Sequence, residues 1–330
     1  AYEPDNRFEH ESVIFYYMRK LCIAVFIFFL FPSPYLFGSD SESLLLYLKG
    51  YTSEKSGEYD KAIGYYNSLL KRDPQSTETR NSLAVAHIKK GDQNRAEEVL
   101  QTTVQLDPAN RKAMLILGSI YTNKGAGDKA KALYQRCIDL DKEDTEAYMY
   151  LAVVYAQEKR YADAISIYDK ILAYDDDNLP ALYYSGKLHL ELKEYEKAKQ
   201  CFARILLLKP DSESAALDMG MVHELQGDSR QALEVYQSIL ATDPTNKNAT
   251  ARIAGIFARE KQFDKAINAF EQLSESDRQD ISVRFDIGRL YLEQQRFDDA
   301  IREFSLILAA RPRENRARFF LALAWEEKGD

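Results

Sequence analysis

Residues 145–178 read TEAYMYLAVVYAQEKRYADAISIYDKILAYDDDN and contain two apolar, helix-like segments joined by a short polar turn. Apolar side chains recur at three- and four-residue spacings from about residue 146 to 158 and again from about 161 to 173, which predicts two α-helices. The connection Lys159-Arg160 is so short that the two helices must run antiparallel. This stretch is therefore predicted to fold as a helical hairpin.

The same hairpin pattern recurs every 34 residues from Ser43 onward, without an insertion. In the numbering used below, place one is Ser43 in the first unit and every 34th residue after it in later units. Place twenty is alanine in eight successive units: Ala62, Ala96, Ala130, Ala164, Ala198, Ala232, Ala266 and Ala300. Self-similarity with this period is the signature of a stacked repeat architecture, in which each unit packs against its neighbours.

Two other columns indicate how the hairpins pack. Place eight always holds a small residue, at Gly50, Ala84, Gly118, Ala152, Gly186, Gly220, Ala254, Gly288 and Ala322. Place twenty-four holds a large apolar residue, at Tyr66, Leu100, Tyr134, Tyr168, Phe202, Tyr236, Phe270 and Phe304. A small side chain lets the two helices of a hairpin approach closely, and the large side chains can be buried only between stacked pairs. Gly57, Gly91 and Gly227 are predicted to end first helices, because glycine is favoured just after a helix C-terminus.

Together these columns resemble the tetratricopeptide repeat family. The family signature has a small residue at place eight, an aromatic residue at eleven, alanine at twenty, an aromatic residue at twenty-four and proline at thirty-two, and it recurs here over residues 43–314, eight repeats. Lys49 departs from the family's leucine at place seven, and Lys142, Asp176 and Arg278 depart from the proline. The resemblance implies an all-α fold, a right-handed α-solenoid superhelix of 34-residue antiparallel helix pairs. Residues 315–330 would be the first helix of a truncated ninth repeat.

In this family the first helices of successive repeats line a concave groove that commonly binds extended or helical peptides of partner proteins. In the middle units, the resemblance implies a partner-binding groove formed by Met149, Tyr150, Val153, Tyr183, Tyr184, Lys187, Leu190, Leu217, Asp218 and Met221. Aromatic and methionine side chains with scattered polar groups suit such a groove. The alternative is that some of these tyrosines only cover neighbouring helices, and the sequence leaves both interpretations open.

Three of the four histidines, His87, His189 and His223, occupy place eleven, where other units carry aromatic rings. This placement predicts flat rings packed inside the hairpins rather than catalytic bases, the alternative being a pH-sensitive contact in the core. Helices of adjacent units lie about 10 Å apart, so His189 and His223 are too far apart to bind one metal ion. No metal site and no cofactor is predicted.

Catalytic motifs are missing from the sequence, which has no G-x-x-x-x-G-K-[ST] loop, no H-E-x-x-H and no G-x-S-x-G. The acidic stretches at 141–144 and 174–178 fall in predicted turns and lack the ligand spacing and the glycine of a calcium loop. Three irregularly spaced cysteines provide neither a C-x-x-C motif nor a disulfide framework. A net charge of −8 leaves no basic cluster for nucleic acid. The sequence thus predicts neither an enzyme nor a nucleic-acid-binding protein.

The first forty residues differ in character from the repeats. Residues 21–31 read LCIAVFIFFLF directly after Arg19 and Lys20, and a segment rich in proline, serine and glycine follows. This layout predicts that residues 18–40 are a secretory signal peptide or an uncleaved membrane anchor, with a buried core helix as the third alternative. Residues 1–17 match no targeting pattern and are interpreted as a poorly structured or spurious extension. Basic residues before the apolar run and acidic residues after it predict that the repeats are exported.

These inferences predict a scaffold for protein–protein interaction in the cell envelope, periplasmic or anchored to the membrane with the repeats facing the periplasm. Membrane contact would occur only through the N-terminal segment. By family resemblance, a secretion, pilus or exopolysaccharide assembly would be a typical setting. One alternative is the repeat-containing N-terminal part of an enzyme, such as a glycosyltransferase, whose catalytic domain lies beyond residue 330. Another alternative is a cytosolic adaptor with a mispredicted start.

Overall fold

The computed structural model describes residues 41–273 and 279–329. Within these residues the secondary structure is α-helical, without a strand, and the helices follow one another in antiparallel pairs. The helices are α1 (Ser41–Lys55), α2 (Tyr59–Arg72), α3 (Thr77–Lys90), α4 (Gln93–Leu106), α5 (Arg111–Asn123), α6 (Gly127–Leu140), α7 (Thr145–Gln157), α8 (Tyr161–Tyr174), α9 (Leu179–Glu191), α10 (Tyr195–Leu208), α11 (Glu213–Leu225), α12 (Ser229–Thr242), α13 (Lys247–Arg259), α14 (Phe263–Glu271), α15 (Ile281–Glu293), α16 (Phe297–Ala310) and α17 (Asn315–Lys328). The predicted all-α fold of antiparallel helix pairs is confirmed.

Helix starts keep the 34-residue period of the sequence. From α3 onward, first helices begin at residues 77, 111, 145, 179, 213, 247, 281 and 315, and second helices begin at 59, 93, 127, 161, 195, 229, 263 and 297. The hairpin predicted at residues 146–158 and 161–173 is observed at 145–157 and 161–174. The uniform phase means that equivalent places in different units have equivalent neighbours.

Place fifteen closes each hairpin with a residue in the left-handed conformation. The glycines at this place are Gly57, Gly91, Gly125, Gly227 and Gly329, and the other residues are Lys159, Lys193, Lys261 and Gln295. At Gly91, with φ +92°, the amide donates to the Ile88 carbonyl, and the next amide, of Asp92, donates to the His87 carbonyl, both over 2.9 Å. These two bonds satisfy the last carbonyls of the helix. The predicted role of Gly57, Gly91 and Gly227 is confirmed.

The chain divides between Ile120 and Tyr121 into two compact units. In the first unit, Tyr66 and Leu69 of α2 pack with Leu83 of α3 in a buried core. In the second unit, fully buried rings are found at place twenty-four, at Tyr134, Tyr168, Phe202, Tyr236, Phe270 and Phe304. All eight alanines at place twenty are likewise fully buried. The two columns therefore form the core of the hairpins, as their composition predicts.

Place eight is where the two helices of a hairpin come closest. A Cβ atom added to Gly50 would lie 2.7 Å from Cε1 of Tyr66, and one added to Gly288 would lie 2.9 Å from Cε1 of Phe304. Real Cβ atoms essentially never approach other atoms so closely, so the large ring at place twenty-four occupies the volume that a side chain at place eight would need. The close approach inferred from the small-residue column is confirmed.

In the described part of the chain, no helix combines the length and the apolar character that crossing a bilayer requires. The signal peptide or anchor predicted at residues 18–40 lies outside the described residues, as does the extension at residues 1–17. Both assignments stay predictions.

Candidate partner-binding surface

The predicted groove residues lie on α7, α9 and α11 in the second compact unit, and each of these is the first helix of its hairpin. Tyr150 on α7 stacks against the buried Tyr134 of α6, with ring centroids 5.5 Å apart and an interplanar angle of 15°. Tyr184 on α9 stacks in the same way on Tyr168 of α8, at 6.1 Å and 18°. Tyr150 nevertheless stays 37% exposed and Tyr184 46% exposed. Each ring therefore packs against a neighbouring helix and remains partly exposed to solvent, and the partner-binding role of the two tyrosines stays a prediction.

Tyr183 extends this aromatic surface toward the second helix of its own hairpin. Its ring meets Tyr184 edge-on at 5.7 Å and Phe202 of α10 at 6.2 Å. Burial and the neighbouring Asp218 carboxylate raise the pKa of the Tyr183 phenol, so it stays protonated at neutral pH. The surrounding side chains Met149, Val153, Leu217 and Met221 are half-buried.

An ion pair joins the last two helices of the surface. Nζ of Lys187 on α9 lies 3.0 Å from Oδ1 of Asp218 on α11. The lysine side chain is exposed, whereas the aspartate is buried. A charge-assisted bond with one buried partner is stronger than a pair fully in solvent, because water screens it less. This contact therefore links α9 and α11 in addition to the core that they share.

Two residues of the predicted groove contribute from below the surface. Leu190 is buried in the core shared by α9, α10 and α11, with Leu182 and Phe202. Asp218 is buried beside Lys187, as described above. The place of a residue in the repeat determines the helix face on which its side chain lies. The size of the neighbouring side chains determines how deeply that side chain is buried. The groove prediction is therefore corrected for Leu190 and Asp218, while Tyr150, Tyr184 and the half-buried residues around them lie at the surface.

Arg252 of α13 adds a basic group that sequence reasoning did not assign to the groove. Its Nη2 lies 3.6 Å from the sulfur of Met221, and its Nη1 lies 3.9 Å from Oε1 of Glu224. Arg252 occupies place six, the same place as Tyr150 and Tyr184. That shared place is the signal that could have identified it.

Beneath this edge of the surface, a buried carboxylate links three helices. Glu224 of α11 accepts a hydrogen bond from the Tyr236 hydroxyl of α12 at 2.6 Å and a second one from Arg259 of α13. In the first compact unit, Glu54 accepts equivalent hydrogen bonds from the Tyr66 hydroxyl at 3.2 Å and from Nζ of Lys89 at 2.7 Å. Both glutamates occupy place twelve and both basic residues place thirteen of the following unit. The arrangement is interpreted as structural, since each buried glutamate accepts from two side chains of other helices.

The histidines at place eleven pack as predicted inside their hairpins. His189 and His223 are buried, and Nδ1 of His189 lies 2.6 Å from Oε2 of Glu194. Burial lowers the pKa of His223 and of the half-buried His87, which favours their neutral forms. Among residues 41–273 and 279–329, no three His, Cys, Asp or Glu side chains are grouped as a metal site would require.

Comparison with protein families supports the fold. A family model described as the tetratricopeptide repeat protein 21 C-terminal ARM domain matches residues 39–215, more than half of the chain. A second model, described as tetratricopeptide repeat, matches residues 225–284 and 257–325. Comparison with curated protein sequences gave no match.

Solved structures with the same architecture are distant in sequence. A tetratricopeptide repeat protein from Parabacteroides merdae is 20% identical with a TM-score of 0.55, and the match covers 76% of this chain and 99% of that protein. The C-terminal part of a repeat-containing protein from Cytophaga hutchinsonii is 20% identical with a TM-score of 0.52, covering 83% and 99%. At such identities the similarity concerns the fold alone. The buried columns, the 34-residue phase and the matched family model show that the chain belongs to the tetratricopeptide repeat family, whose fold is typical of non-catalytic scaffolds for protein–protein interaction.

Proposed function

We propose that this protein is a scaffold of the cell envelope that binds a peptide or protein partner on the surface formed by α7, α9 and α11. The observation that carries the proposal is the geometry of Tyr150 and Tyr184, which are exposed although their inner faces are stacked on buried rings. A ring held in place before binding loses little conformational entropy when a partner covers it. Tyrosine, with tryptophan and arginine, is enriched among the interface residues that contribute most to binding energy.

The surroundings of the two tyrosines suit a partner of mixed character. Met149 and Met221 offer flexible, polarizable contacts that adapt to apolar side chains. Lys187 and Arg252 at the far end of the surface are exposed enough to donate to carbonyl or carboxylate groups. An extended or helical peptide with apolar anchors and an acidic or carbonyl-rich end fits this distribution.

The proposed location rests on the first forty residues. A basic pair, an apolar run and a segment rich in small and proline residues favour export of the repeats, into the periplasm or facing it from a membrane anchor. Repeat scaffolds of this family commonly serve multi-protein machines, and we propose a secretion, pilus or exopolysaccharide assembly as the setting.

Affinity capture from envelope extracts tests the binding surface. The full chain carrying Tyr150→Ala and Tyr184→Ala should lose specific partners that the unmodified chain retains. The matched control is Tyr174→Ala, because Tyr174 is 60% exposed at the end of the second helix α8, away from the surface. Tyr150→Phe with Tyr184→Phe, which keeps the stacked rings, should retain most binding. Equal capture by the double alanine variant, with an unchanged circular dichroism spectrum, would exclude this surface.

Cell fractionation tests the location separately. The repeats should be degraded by protease added to cells with a permeabilised outer membrane, while a cytosolic marker stays intact. Recovery of an intact, protease-protected chain in the cytosol would instead support the adaptor interpretation.

A further inference from the structure

A cleft of about 690 Å³ opens on the second compact unit between the second helices α10 and α12, and α11 forms its floor. Its volume is within the range of small-molecule sites. The floor residues Met219 and His223 lie two positions after the groove residues Leu217 and Met221, which turns them by about 200° around the helix axis. The cleft therefore lies on a different face of α11 from the candidate partner-binding surface.

Two residues of α10 distinguish this cleft from the same surface of the other repeats. Ala203 occupies place twenty-five, where every other complete unit carries a polar residue: Asn67, Gln101, Gln135, Asp169, Gln237, Glu271 and Ser305. Leu207 occupies place twenty-nine, where no other unit carries leucine, and it is 71% exposed. A small residue thus opens the cleft, and a leucine that the chain itself does not bury lines it.

Polar and apolar residues separate along the length of the cleft. On α10, Glu196 and Lys199 line its N-terminal end, and Leu207 lies about 16 Å beyond Glu196 along the helix axis. On α12, which also lines the cleft, Gln231 precedes Val235 in the same order. A ligand with a polar group at one end and an apolar body matches this gradient. A partner helix lying in the cleft would instead need an apolar face along its whole length.

His223 forms the floor of the polar end. The residue is 7% exposed, and within the described part of the chain its ring forms no hydrogen bond. Burial and the Lys199 ammonium lower the pKa of His223, so the neutral ring offers one N–H donor and one acceptor at neutral pH. Lys199 acts on the ring more strongly than the carboxylates of Asp228 and Glu196, which act in the opposite direction. The electrostatic environment of the ring is therefore dominated by a positive charge.

Lys199 is paired with fewer carboxylates than the lysine at the same place two units earlier. Nζ of Lys131 lies 3.0 Å from Oδ1 of Asp128 and 2.8 Å from Oε1 of Glu158. Nζ of Lys199 lies 3.3 Å from Oε1 of Glu196, and the place of Glu158 is taken by a glutamine. One carboxylate fewer leaves positive charge at the polar end of the cleft, which complements an anionic group.

We propose that the cleft binds a fatty-acid-like carboxylate, with its anionic head group at Lys199 and His223 and its apolar chain along Ala203 and Leu207. The head group accepts hydrogen bonds from Nζ of Lys199 and from the ring N–H of His223. The chain covers Leu207 and Met219, which removes apolar surface of both molecules from water. This site is separate from the partner-binding surface, so either proposal can fail without the other.

Titration calorimetry of the full chain with decanoate, below its critical micelle concentration and in one buffer for all variants, tests the site. Decanol and decyltrimethylammonium, which have the same chain but no carboxylate, should bind about tenfold more weakly or worse, because a hydrogen bond to a charged group is lost. Lys199→Gln should weaken decanoate binding by about the same factor and remove its preference over decanol. Glu196→Gln should strengthen it, because Lys199 loses a competing carboxylate.

Lys197→Gln is the matched control for charge. It removes one positive charge from the same helix, but Lys197 pairs with Glu194 and does not line the cleft, so decanoate affinity should stay unchanged. Ala203→Gln tests the apolar end, because it introduces the residue that three other repeats carry at place twenty-five and should preserve the fold. It should abolish specific binding, and the heat that remains measures partitioning of decanoate elsewhere on the chain.

Nuclear magnetic resonance of the imidazole C–H groups gives an independent readout, since the chain has four histidines. Decanoate should shift the His223 resonance, assigned by its loss in His223→Phe, and leave that of His87 in the other compact unit unchanged. Decanoate binding that is equal in Ala203→Gln and the unmodified chain, at native circular dichroism, would overturn the proposal. Equal affinities for decanoate and decanol, or equal losses in Lys197→Gln and Lys199→Gln, would overturn it as well.

Discussion

Tyr236 donates a 2.6 Å hydrogen bond to Glu224, twelve residues earlier, and so ties the second helix of its hairpin to the first. The carboxylate also accepts from Arg259 of the next hairpin, so one buried group joins two units of the repeat. Burial and the nearby carboxylate raise the pKa of the Tyr236 phenol far above its ordinary value. The hydroxyl therefore stays protonated and donates at neutral and mildly alkaline pH.

Replacing Tyr236 with phenylalanine should lower the free energy of unfolding by about 1–3 kcal/mol, because the change leaves a buried carboxylate with one donor fewer. Urea denaturation followed by circular dichroism measures the loss. Tyr168→Phe is the matched control, since Tyr168 is buried at the same place but the residue at place twelve of its unit is Ala156. That control should be close to neutral. Equal effects of the two changes would show that the bond to Glu224 contributes nothing specific.

Gly220→Ala tests the close approach at place eight. The added methyl group would overlap the ring of Tyr236, so the helices must separate or the ring must move. Overpacking of this kind costs about 1–3 kcal/mol. Gly255→Ala is the control, because a Cβ atom there meets no atom within 4 Å. In a helix interior that change should stabilise by about 0.5–1 kcal/mol, and thermal unfolding should show the two variants moving in opposite directions.

Lys193→Gly should stabilise the protein. Lys193 adopts φ +60° at place fifteen, whereas Gly227 adopts φ +81° at the same place of the next unit. The left-handed conformation costs a residue with a Cβ atom roughly 1–2 kcal/mol, partly offset by the greater backbone entropy that glycine loses on folding. A net gain of about 0.5–1 kcal/mol is expected, and Gly227→Lys should show the reverse. Chemical denaturation that ranks the two variants the other way would contradict the assigned turn geometry.

His223→Phe separates the shape of the imidazole from its basicity. Burial lowers the pKa of His223, and the nearby Lys199 acts in the same direction. The unfolded chain therefore binds a proton more readily than the folded one below about pH 6.5, so the contribution of His223 to stability is full above that pH and declines as the pH falls. Phenylalanine removes this decline, and the variant should gain stability relative to the parent between neutral and mildly acidic pH.

Denaturation midpoints measured at several pH values check this expectation. His189→Phe provides the contrast, because it deletes the 2.6 Å contact with Glu194 and should lower the free energy of unfolding at neutral pH. A stability difference between His223→Phe and the parent that is the same at every pH would mean that the imidazole titrates alike in both states.

The fold of this protein can be predicted well from the sequence, because the residues that the fold requires most strictly act locally and recur in every repeat. Glycine or alanine at place eight and alanine at place twenty are required by backbone approach, so their 34-residue columns show directly in the sequence. The Glu224 network is different. A glutamate at place twelve occurs in three units, at Glu54, Glu224 and Glu326, where it looks like an ordinary charge on an amphipathic helix. The burial of the Glu224 side chain depends on Tyr236 and Arg259 of other helices.

The candidate surface is predicted less completely than the fold. Place in the repeat identified the helix face of Tyr150 and Tyr184, and the structure confirms that both are exposed. Place in the repeat did not predict that the Leu190 side chain packs into the core, nor that the Arg252 guanidinium contacts Met221 of the neighbouring hairpin. Depth and reach depend on side-chain volume and rotamer in the adjacent helices, which a repeat pattern does not encode.

The contacts between hairpins join residues about one repeat apart along the chain, such as Lys112 with Glu78, 34 positions away, and Lys187 with Asp218, 31 positions away. These contacts join neighbouring hairpins, so a pulling force applied to the chain passes from one hairpin to the next. Each compact unit should therefore extend by the rupture of one hairpin at a time. Each rupture would release about 120 Å of chain, the fully extended length of 34 residues.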